Sequence, residues 1–162
     1  MAATAADTIL TVDDVRAARG TIAGRLHRTP TFSSRQLSEL TGGTVFLKAE
    51  CFQRTGSFKP RGVLNKLASL SDEEKAKGVI SISAGNHAQA LAYASALEGI
   101  DALIVMWASA SAQKIAAARG YGATIDTEAP DSPEAFARLE ELHAASGRTL
   151  VHPFDDPLVQ AG

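Results

Sequence analysis

The sequence has little of several features that would define a class of protein. It contains one cysteine, Cys51, which excludes an internal disulfide framework and fits a reducing cytoplasm. Its longest apolar run covers residues 102–108 and is too short for a membrane-spanning helix. Residues 1–8 have neither a basic start nor an apolar stretch. We therefore expect them to form a short disordered lead and not a secretory signal.

Charge is also ordinary in amount and in pattern. The chain has 16 basic and 18 acidic residues, a net charge of −2, and no long run of either sign. This balance argues against a nucleic-acid or membrane-surface partner. His27, His143 and His152 are scattered without the spacing of metal ligands, so no metal site is expected. With 162 residues, 45% of them hydrophobic, the chain is long enough to bury a core of ordinary size.

Short apolar segments alternate with helical patterns along most of the chain. This alternation predicts β-α-β units and a parallel sheet, hence an α/β fold. The last predicted helix has Phe136, Leu139 and Leu142 on the face that is expected to point into the core. Asp155 and Asp156 are interpreted as part of a solvated turn. The predicted strands are 44–50, 79–82, 102–106, 123–125 and 149–151. The predicted helices begin near Thr11 (ending near His27), Ser33 or Ser34 (ending at Leu40), Pro60, Ser71, Asn86, Ser111 and Ser132.

Two segments carry residues suited to chemistry. Lys59 lies among small and glycine residues just before an apolar helical pattern. It is either an ordinary surface lysine or a reactive amine, because positive potential at a helix start disfavours the cation and the neutral amine attacks carbonyl groups. The turn over residues 83–86 also follows a predicted strand, and Asn86 there is either a simple turn residue or a ligand. Both segments are expected to face one crevice at the carboxyl ends of the strands.

The residues around these segments resemble a known family. Lys48-Ala49-Glu50, residues 53–59 and Arg61-Gly62 resemble the cofactor-lysine segment of fold-type II pyridoxal-phosphate enzymes, and residues 83–89 resemble their asparagine loop. Within the family the similarity is greatest to threonine/serine dehydratases and serine racemases, and it runs from residue 28 to residue 162. It implies a small α/β domain over residues 51–155. Residues 1–50 would belong to an incomplete large domain, and residues 156–162 would be a truncated tail.

The resemblance also implies roles for individual residues. Lys59 would hold pyridoxal 5′-phosphate as an imine and then remove the Cα proton of a small amino-acid substrate. Asn86 would hydrogen-bond the ring hydroxyl, and Phe58 would pack against the ring. The substrate carboxylate would be received by the backbone and side chains around Ser83, Gly85 and His87, although His87 is equally well interpreted as a helix cap.

One position bears on the reaction. Racemases of this type have a serine directly before the Gly-Asn-His, where this chain has Ala84. The resemblance therefore favours dehydration of threonine or serine to a 2-oxo acid and ammonia. Ser83 next to it could substitute for the missing hydroxyl, so serine racemase-like and other β-replacing activities stay open.

The resemblance is incomplete in one respect. The family's glycine-rich phosphate-binding loop corresponds to residues beyond Gly162, and Gly42-Gly43 precedes the wrong element to replace it. We therefore expect an incomplete fragment of a homo-oligomeric enzyme (dimer or tetramer) that binds its cofactor weakly alone. The alternative is a non-catalytic or degenerate interaction protein.

Overall fold

The computed structural model of the chain describes residues 9–162, so the predicted disordered lead over residues 1–8 lies outside the described residues. The strands are β1 (Thr31–Ser33), β2 (Phe46–Lys48), β3 (Val79–Ile82), β4 (Ala102–Val105), β5 (Thr124–Asp126) and β6 (Thr149–Leu150). Four of them form a parallel sheet with the order β5-β4-β3-β6, which confirms the predicted α/β class. A separate antiparallel hairpin, β1-β2, precedes this sheet in the chain.

Helices cover both faces of the parallel sheet. They are α1 (Val12–Thr21), α2 (Arg35–Thr41), α3 (Lys59–Ala68), α4 (Asp72–Lys77), α5 (Asn86–Glu98), α6 (Ala112–Gly120), α7 (Ser132–Ser146) and α8 (Pro157–Ala161). The connections from β3 to β4 and from β4 to β5 run through α5 and α6, and α7 brings the chain back to β6 on the other side of β3. No helix within residues 9–162 is both long and apolar enough to cross a membrane.

The hydrophobic core lies on the two faces of this sheet. Every residue of β3 is buried, as expected for a strand that is covered on both sides, and three of its four residues are apolar. The larger cluster joins β3 and β4 to α3 and α5. The smaller one, which includes Ile80, Ala135 and Leu139, joins the opposite face to α7. Phe136, which was expected to point into the core, is instead 49% exposed, and Ala135 takes the buried position beside it.

The end of the chain is more ordered than the sequence suggested. Residues 156–162, expected to be a tail, contain α8, which packs on α3. A Cβ at Gly62 would lie 2.1 Å from the carbonyl oxygen of Val159, so the glycine permits this close approach. Asp156, interpreted as part of a solvated turn, accepts hydrogen bonds from the first N–H groups of α8 and pairs with Lys66 at 2.8 Å.

The N-terminal region departs most from expectation. The first helix ends at Thr21 instead of near His27, and the chain turns through Gly24, whose φ is +74°. The predicted strand 44–50 is shorter, at Phe46–Lys48, and β1, which was not predicted, is its hairpin partner. The predicted helix over 34–40 is present as α2, capped by Ser34.

Candidate active site

The candidate site residues lie at the point where the order of the strands in the parallel sheet reverses. From β3 the chain proceeds to β4 on one side, while β6 lies on the other side of β3. In open α/β sheets such a switch point, at the carboxyl ends of the strands, leaves a crevice for ligands. The turn over residues 83–85 follows β3, and the segment 151–153 follows β6. Lys59, the first residue of α3, reaches the same place from a third element.

Lys59 is held at this edge by the segment after β6. Its Nζ donates a hydrogen bond to the carbonyl oxygen of Pro153, with 2.6 Å between the two atoms. The same Nζ lies 5.4 Å from the centre of the Phe58 ring, and Phe58 is 58% exposed. A cavity of about 230 Å³ beside the amine is lined by Phe58, Pro153, Phe154 and Gln160, among others. The amine therefore has a largely exposed aromatic neighbour and open space beside it.

The turn after β3 presents an open helix start. Ser83 Oγ accepts a hydrogen bond from the Gly85 N–H at 3.1 Å, and no side chain in the described part of the chain caps α5. A Cβ at Gly85 would meet only Ser83 Oγ, at 4.0 Å, so there is space above the turn. Uncapped N–H groups at the start of a long helix suit an anionic group. The Asn86 Oδ1 accepts a hydrogen bond from Lys114 Nζ at 3.1 Å, on the exposed side of this turn.

The side chain of His87 has a different environment from the rest of the turn. The residue is 2% exposed, and its Nε2 lies 3.1 Å from Ser81 Oγ and 3.2 Å from the carbonyl oxygen of Val151. Burial lowers its pKa to about 4, with smaller contributions in the same direction from Lys59 and His152, while the hydrogen bond to Val151 opposes them. The ring is thus neutral at pH 7, and contact between His87 and a bound carboxylate would come from its backbone N–H.

The structure brings some of the predicted site residues together directly and others only by location. Lys59 and Phe58 are in contact, and the Lys59 amine is close enough to His87 to affect its pKa. Asn86 starts the helix that carries His87, but it does not line the cavity beside Lys59. The roles assigned to Ser83, Gly85, Asn86 and His87 stay predictions.

Polar groups left without partners lie close to the lysine in the chain. Thr55 Oγ1 and Ser57 Oγ are buried and have no hydrogen-bond partner among residues 9–162. Buried hydroxyl groups normally find a partner, so these two are suited to a polar ligand. The Lys59 amine and these unpaired hydroxyl groups are compatible with a polar group that carries an aldehyde, such as pyridoxal phosphate, but neither hydroxyl lines the cavity beside the amine.

Three residues near the site were missed by sequence reasoning. Ser81 interrupts an otherwise apolar strand, and this polar residue inside a buried run was a usable signal. Lys114 lies in the helix after the next strand, and only the fold places it beside Asn86. Pro153 acts through its backbone carbonyl, a group that every residue has, so no side-chain pattern marks it.

Two residues of the lysine-segment motif, Glu50 and Arg61, pair with each other. Arg61 Nε and Nη2 donate to the two carboxylate oxygens of Glu50 at 2.8 and 2.7 Å, and Thr29 Oγ1 donates to Glu50 as well. The hydrogen bond from Arg61, more than any other contact, lowers the pKa of Glu50 to about 2. This pair connects the chain before residue 50 to α3. It does not contact the Lys59 amine.

Comparison with known proteins gives a consistent result. Residues 22–162 match the family described as pyridoxal-phosphate dependent enzyme. The chain is 46% identical over 155 residues to a catabolic L-threonine dehydratase of Staphylococcus aureus (strain N315), covering 95% of this chain and 45% of that protein. The chain thus spans about half the length of the curated relatives it matches.

Solved structures agree with the sequence matches. The processed form of threonine deaminase isoform 2 from Solanum lycopersicum superposes with a TM-score of 0.81 at 36% identity, covering 93% of this chain and 41% of that one. The serine racemase of Dictyostelium discoideum superposes with a TM-score of 0.86 at 37% identity, covering 94% of this chain and 50% of that one. The fold is therefore shared by relatives named for two different reactions.

Proposed function

The chain belongs to the family of pyridoxal-phosphate dependent enzymes, and from this premise we propose that it carries the lysine side of a threonine/serine ammonia-lyase active site. The observation that supports this most is the place of the Lys59 amine. It lies at the switch point of the sheet, beside an exposed aromatic ring and near the uncapped start of α5. A surface lysine of no function would not need a cavity beside its amine, at the edge of the sheet where ligands bind in such folds.

Each residue then has a defined task. Lys59 holds the cofactor and moves the proton at the substrate Cα, for which its Nζ must leave the Pro153 carbonyl. Phe58 offers its largely exposed ring as a packing surface, and Asn86 offers an amide for a ring hydroxyl. The first N–H groups of α5 bind the substrate carboxylate. Pyridoxal phosphate, when bound, supplies an electron sink for the charge that develops at the substrate Cα.

The residue before Gly85 favours elimination over racemisation. Ala84 has no proton to donate, so the described residues provide acid–base chemistry through Lys59. The neighbouring Ser83 hydroxyl accepts a hydrogen bond from the Gly85 N–H and keeps its own proton, so it is the described side chain that a racemase mechanism would use. We propose that the substrate loses its Cα proton and its β-hydroxyl group as water, and that a second water molecule hydrolyses the resulting enamine to a 2-oxo acid and ammonia.

Covalent capture of the cofactor tests the central role of Lys59. The 162-residue chain is incubated with pyridoxal phosphate, reduced with borohydride and mapped by peptide mass spectrometry. We expect modification at Lys59 in clear excess over Lys66 and Lys77, and its loss in Lys59→Ala. Equal modification of all three lysines would contradict the proposal. A second assay separates dehydratase from racemase. The full-length gene product should release 2-oxobutanoate from threonine, and racemisation of serine should appear only in its Ala84→Ser variant.

Assembly and location form a further part of the proposal. We propose a homo-oligomer, a dimer or a tetramer, because several large apolar side chains before residue 59 are exposed on the single chain. We also propose that the protein is cytoplasmic, in keeping with its single cysteine. The competing view is a non-catalytic interaction protein. Sedimentation velocity with and without pyridoxal phosphate distinguishes the two, since a stable oligomer without any capture at Lys59 would favour the interaction protein.

A further inference from the structure

Val151, just past the end of β6, has a carbonyl oxygen bound by two side chains. Ser81 Oγ donates to it at 2.7 Å, and His87 Nε2 lies 3.2 Å from it. All three residues are buried, with exposures of 0%, 0% and 2% for Val151, Ser81 and His87. They come from β3, from the start of α5 and from the end of β6, so this buried contact joins three elements.

The geometry defines which nitrogen of His87 carries the proton. A carbonyl oxygen only accepts hydrogen bonds, and the Ser81 hydroxyl has already given its proton to Val151. Nε2, which faces both oxygens, must therefore be the N–H donor. Nδ1 then carries a lone pair, and it has no partner among residues 9–162. The titratable groups that face the ring are Lys59 and His152, both of which disfavour a second proton on it.

This contact is connected to the reactive lysine over a short distance along the chain. Val151 lies two residues before Pro153, whose carbonyl oxygen holds Lys59 Nζ. The proline ring fixes φ at Pro153 and restricts His152 before it, so the link between the two carbonyl groups is stiff. His152 Nδ1 also accepts a hydrogen bond from the Asp155 N–H at 2.8 Å, which folds the segment back on itself. Movement of Val151 is therefore transmitted to Pro153.

We propose that His87 and Ser81 are positioning residues that hold the Val151 carbonyl, and that through the stiff segment 151–153 they set the place of the Lys59 amine. The proposal rests on the proposed function only in taking Lys59 as the reacting group. It gives the His87 side chain a role different from contact with substrate. The backbone of His87 stays available for a carboxylate while its ring braces the opposite wall of the crevice.

The test measures the amine without the cofactor. The 162-residue chain is pulsed with a low dose of acetic anhydride, and acetylation of Lys59 is compared with that of Lys77 by mass spectrometry. Gln places an amide nitrogen near the position of Nε2, whereas Asn reaches only the position of Nδ1, so His87→Gln and His87→Asn form a matched pair. Ser81→Thr, which keeps the hydroxyl, and Ser81→Ala, which removes it, form the second pair.

We expect His87→Asn and Ser81→Ala to raise the ratio of Lys59 to Lys77 acetylation about fivefold, as for the loss of one net hydrogen bond. His87→Gln and Ser81→Thr should stay near the parent ratio. The proposal would be overturned if the ratio of Lys59 to Lys77 acetylation were unchanged in His87→Asn and Ser81→Ala, or if it rose equally in all four variants. If a variant unfolds and all lysines react, the ring ¹⁵N shifts of His87 in the parent chain are measured instead. An Nδ1–H tautomer would overturn the proposal, because Nε2 could not then donate to the Val151 carbonyl. Failure of pyridoxal phosphate to modify Lys59 would contradict the proposed function and leave these readouts intact.

Discussion

The body of the molecule, residues 51–162, and the N-terminal region, residues 9–50, differ sharply in how they are held. In the body, β3 is buried at every position and lies between two hydrophobic clusters. In the N-terminal region, all residues of β1 and β2 are exposed, and only a few side chains of this region reach the core. The body therefore contains the folding core, and the candidate site is built on it.

The N-terminal region is attached mainly by polar contacts. Gln53, which is 5% exposed, binds the backbone N–H and carbonyl of His27 at 3.0 and 2.9 Å. Glu50 binds Arg61 and Thr29. Ala18 and Ile22 add a small apolar contact. The large exposed apolar side chains of this part and the adjoining turn are Ile9, Leu10, Val12, Val15, Phe32, Leu37, Leu40, Phe46, Leu47 and Phe52. A region held in this way contributes little to global stability on its own.

The largest expected effect on the free energy of unfolding comes from truncating a leucine of the body, compared with truncating a leucine of the N-terminal region. Leu64 is fully buried in the main cluster, and Leu40 is 82% exposed. Leu64→Ala should lower the free energy of unfolding by about 4 kcal/mol, because it leaves a cavity in a close-packed core. Leu40→Ala should change it by less than about 0.5 kcal/mol. Urea denaturation at pH 7 measures both, and similar losses for the two variants would mean that the hairpin region is part of the core.

The next effect in size is the pH dependence of the body. The pKa of His87 is about 4 when folded, against 6.5 for a free ring, so the unfolded chain takes up the proton first as the pH falls. The contribution of the neutral ring is complete above pH 6.5 and is lost on the way down to about pH 4. The total is roughly 3 kcal/mol. His87→Gln should remove this slope from the denaturation curves; an unchanged slope would show that another group causes it.

The same contrast separates what the sequence predicted from what it could not. The body was predicted closely: β3 occupies the predicted residues 79–82, and α5 ends at Glu98 as expected. Continuous apolar runs, capping residues and terminal glycines act locally, so the pattern alone reports them. The hairpin strand β1 depends on a partner distant in sequence, for which Thr31–Ser33 carries no strong local signal. The helix α8 does have a local signal, Asp156 as N-cap followed by Pro157, but the segment is only five residues long and was interpreted as a turn and a tail.

The candidate site divides in a similar way. Lys59 and Phe58 were found from motif residues, and the structure places them together at the switch point. The partner of the amine, the Pro153 carbonyl, depends on how β6 lies beside β3 and not on any side chain. The family resemblance implied that His87 receives the substrate carboxylate, with a helix cap as the alternative interpretation. A helix start points successive side chains in different directions, however, and this one is directed into the core.

The smallest expected effect concerns the junction between the two regions. The Arg61 hydrogen bond lowers the pKa of Glu50 to about 2, from an ordinary value of 4.5. The contribution of this carboxylate is therefore present above pH 4.5 and is lost as the pH falls through about 2, below the range of His87. The side chains of Glu50 and Arg61 are only 17% and 23% exposed, so Glu50→Gln should cost about 2 kcal/mol, as for a hydrogen bond to a charged group.

The effect of Glu50→Gln should nevertheless be concentrated in one place. Because the Glu50 carboxylate joins Thr29 to Arg61, its loss should speed amide hydrogen exchange in the hairpin and leave β3 and β4 unchanged. Glu73→Gln, which removes an exposed pair with Lys77 on α4, is the matched control and should alter neither region. Faster exchange throughout the body would instead mean that the two regions unfold as one cooperative unit, and that the polar junction is as integral to the fold as the buried sheet.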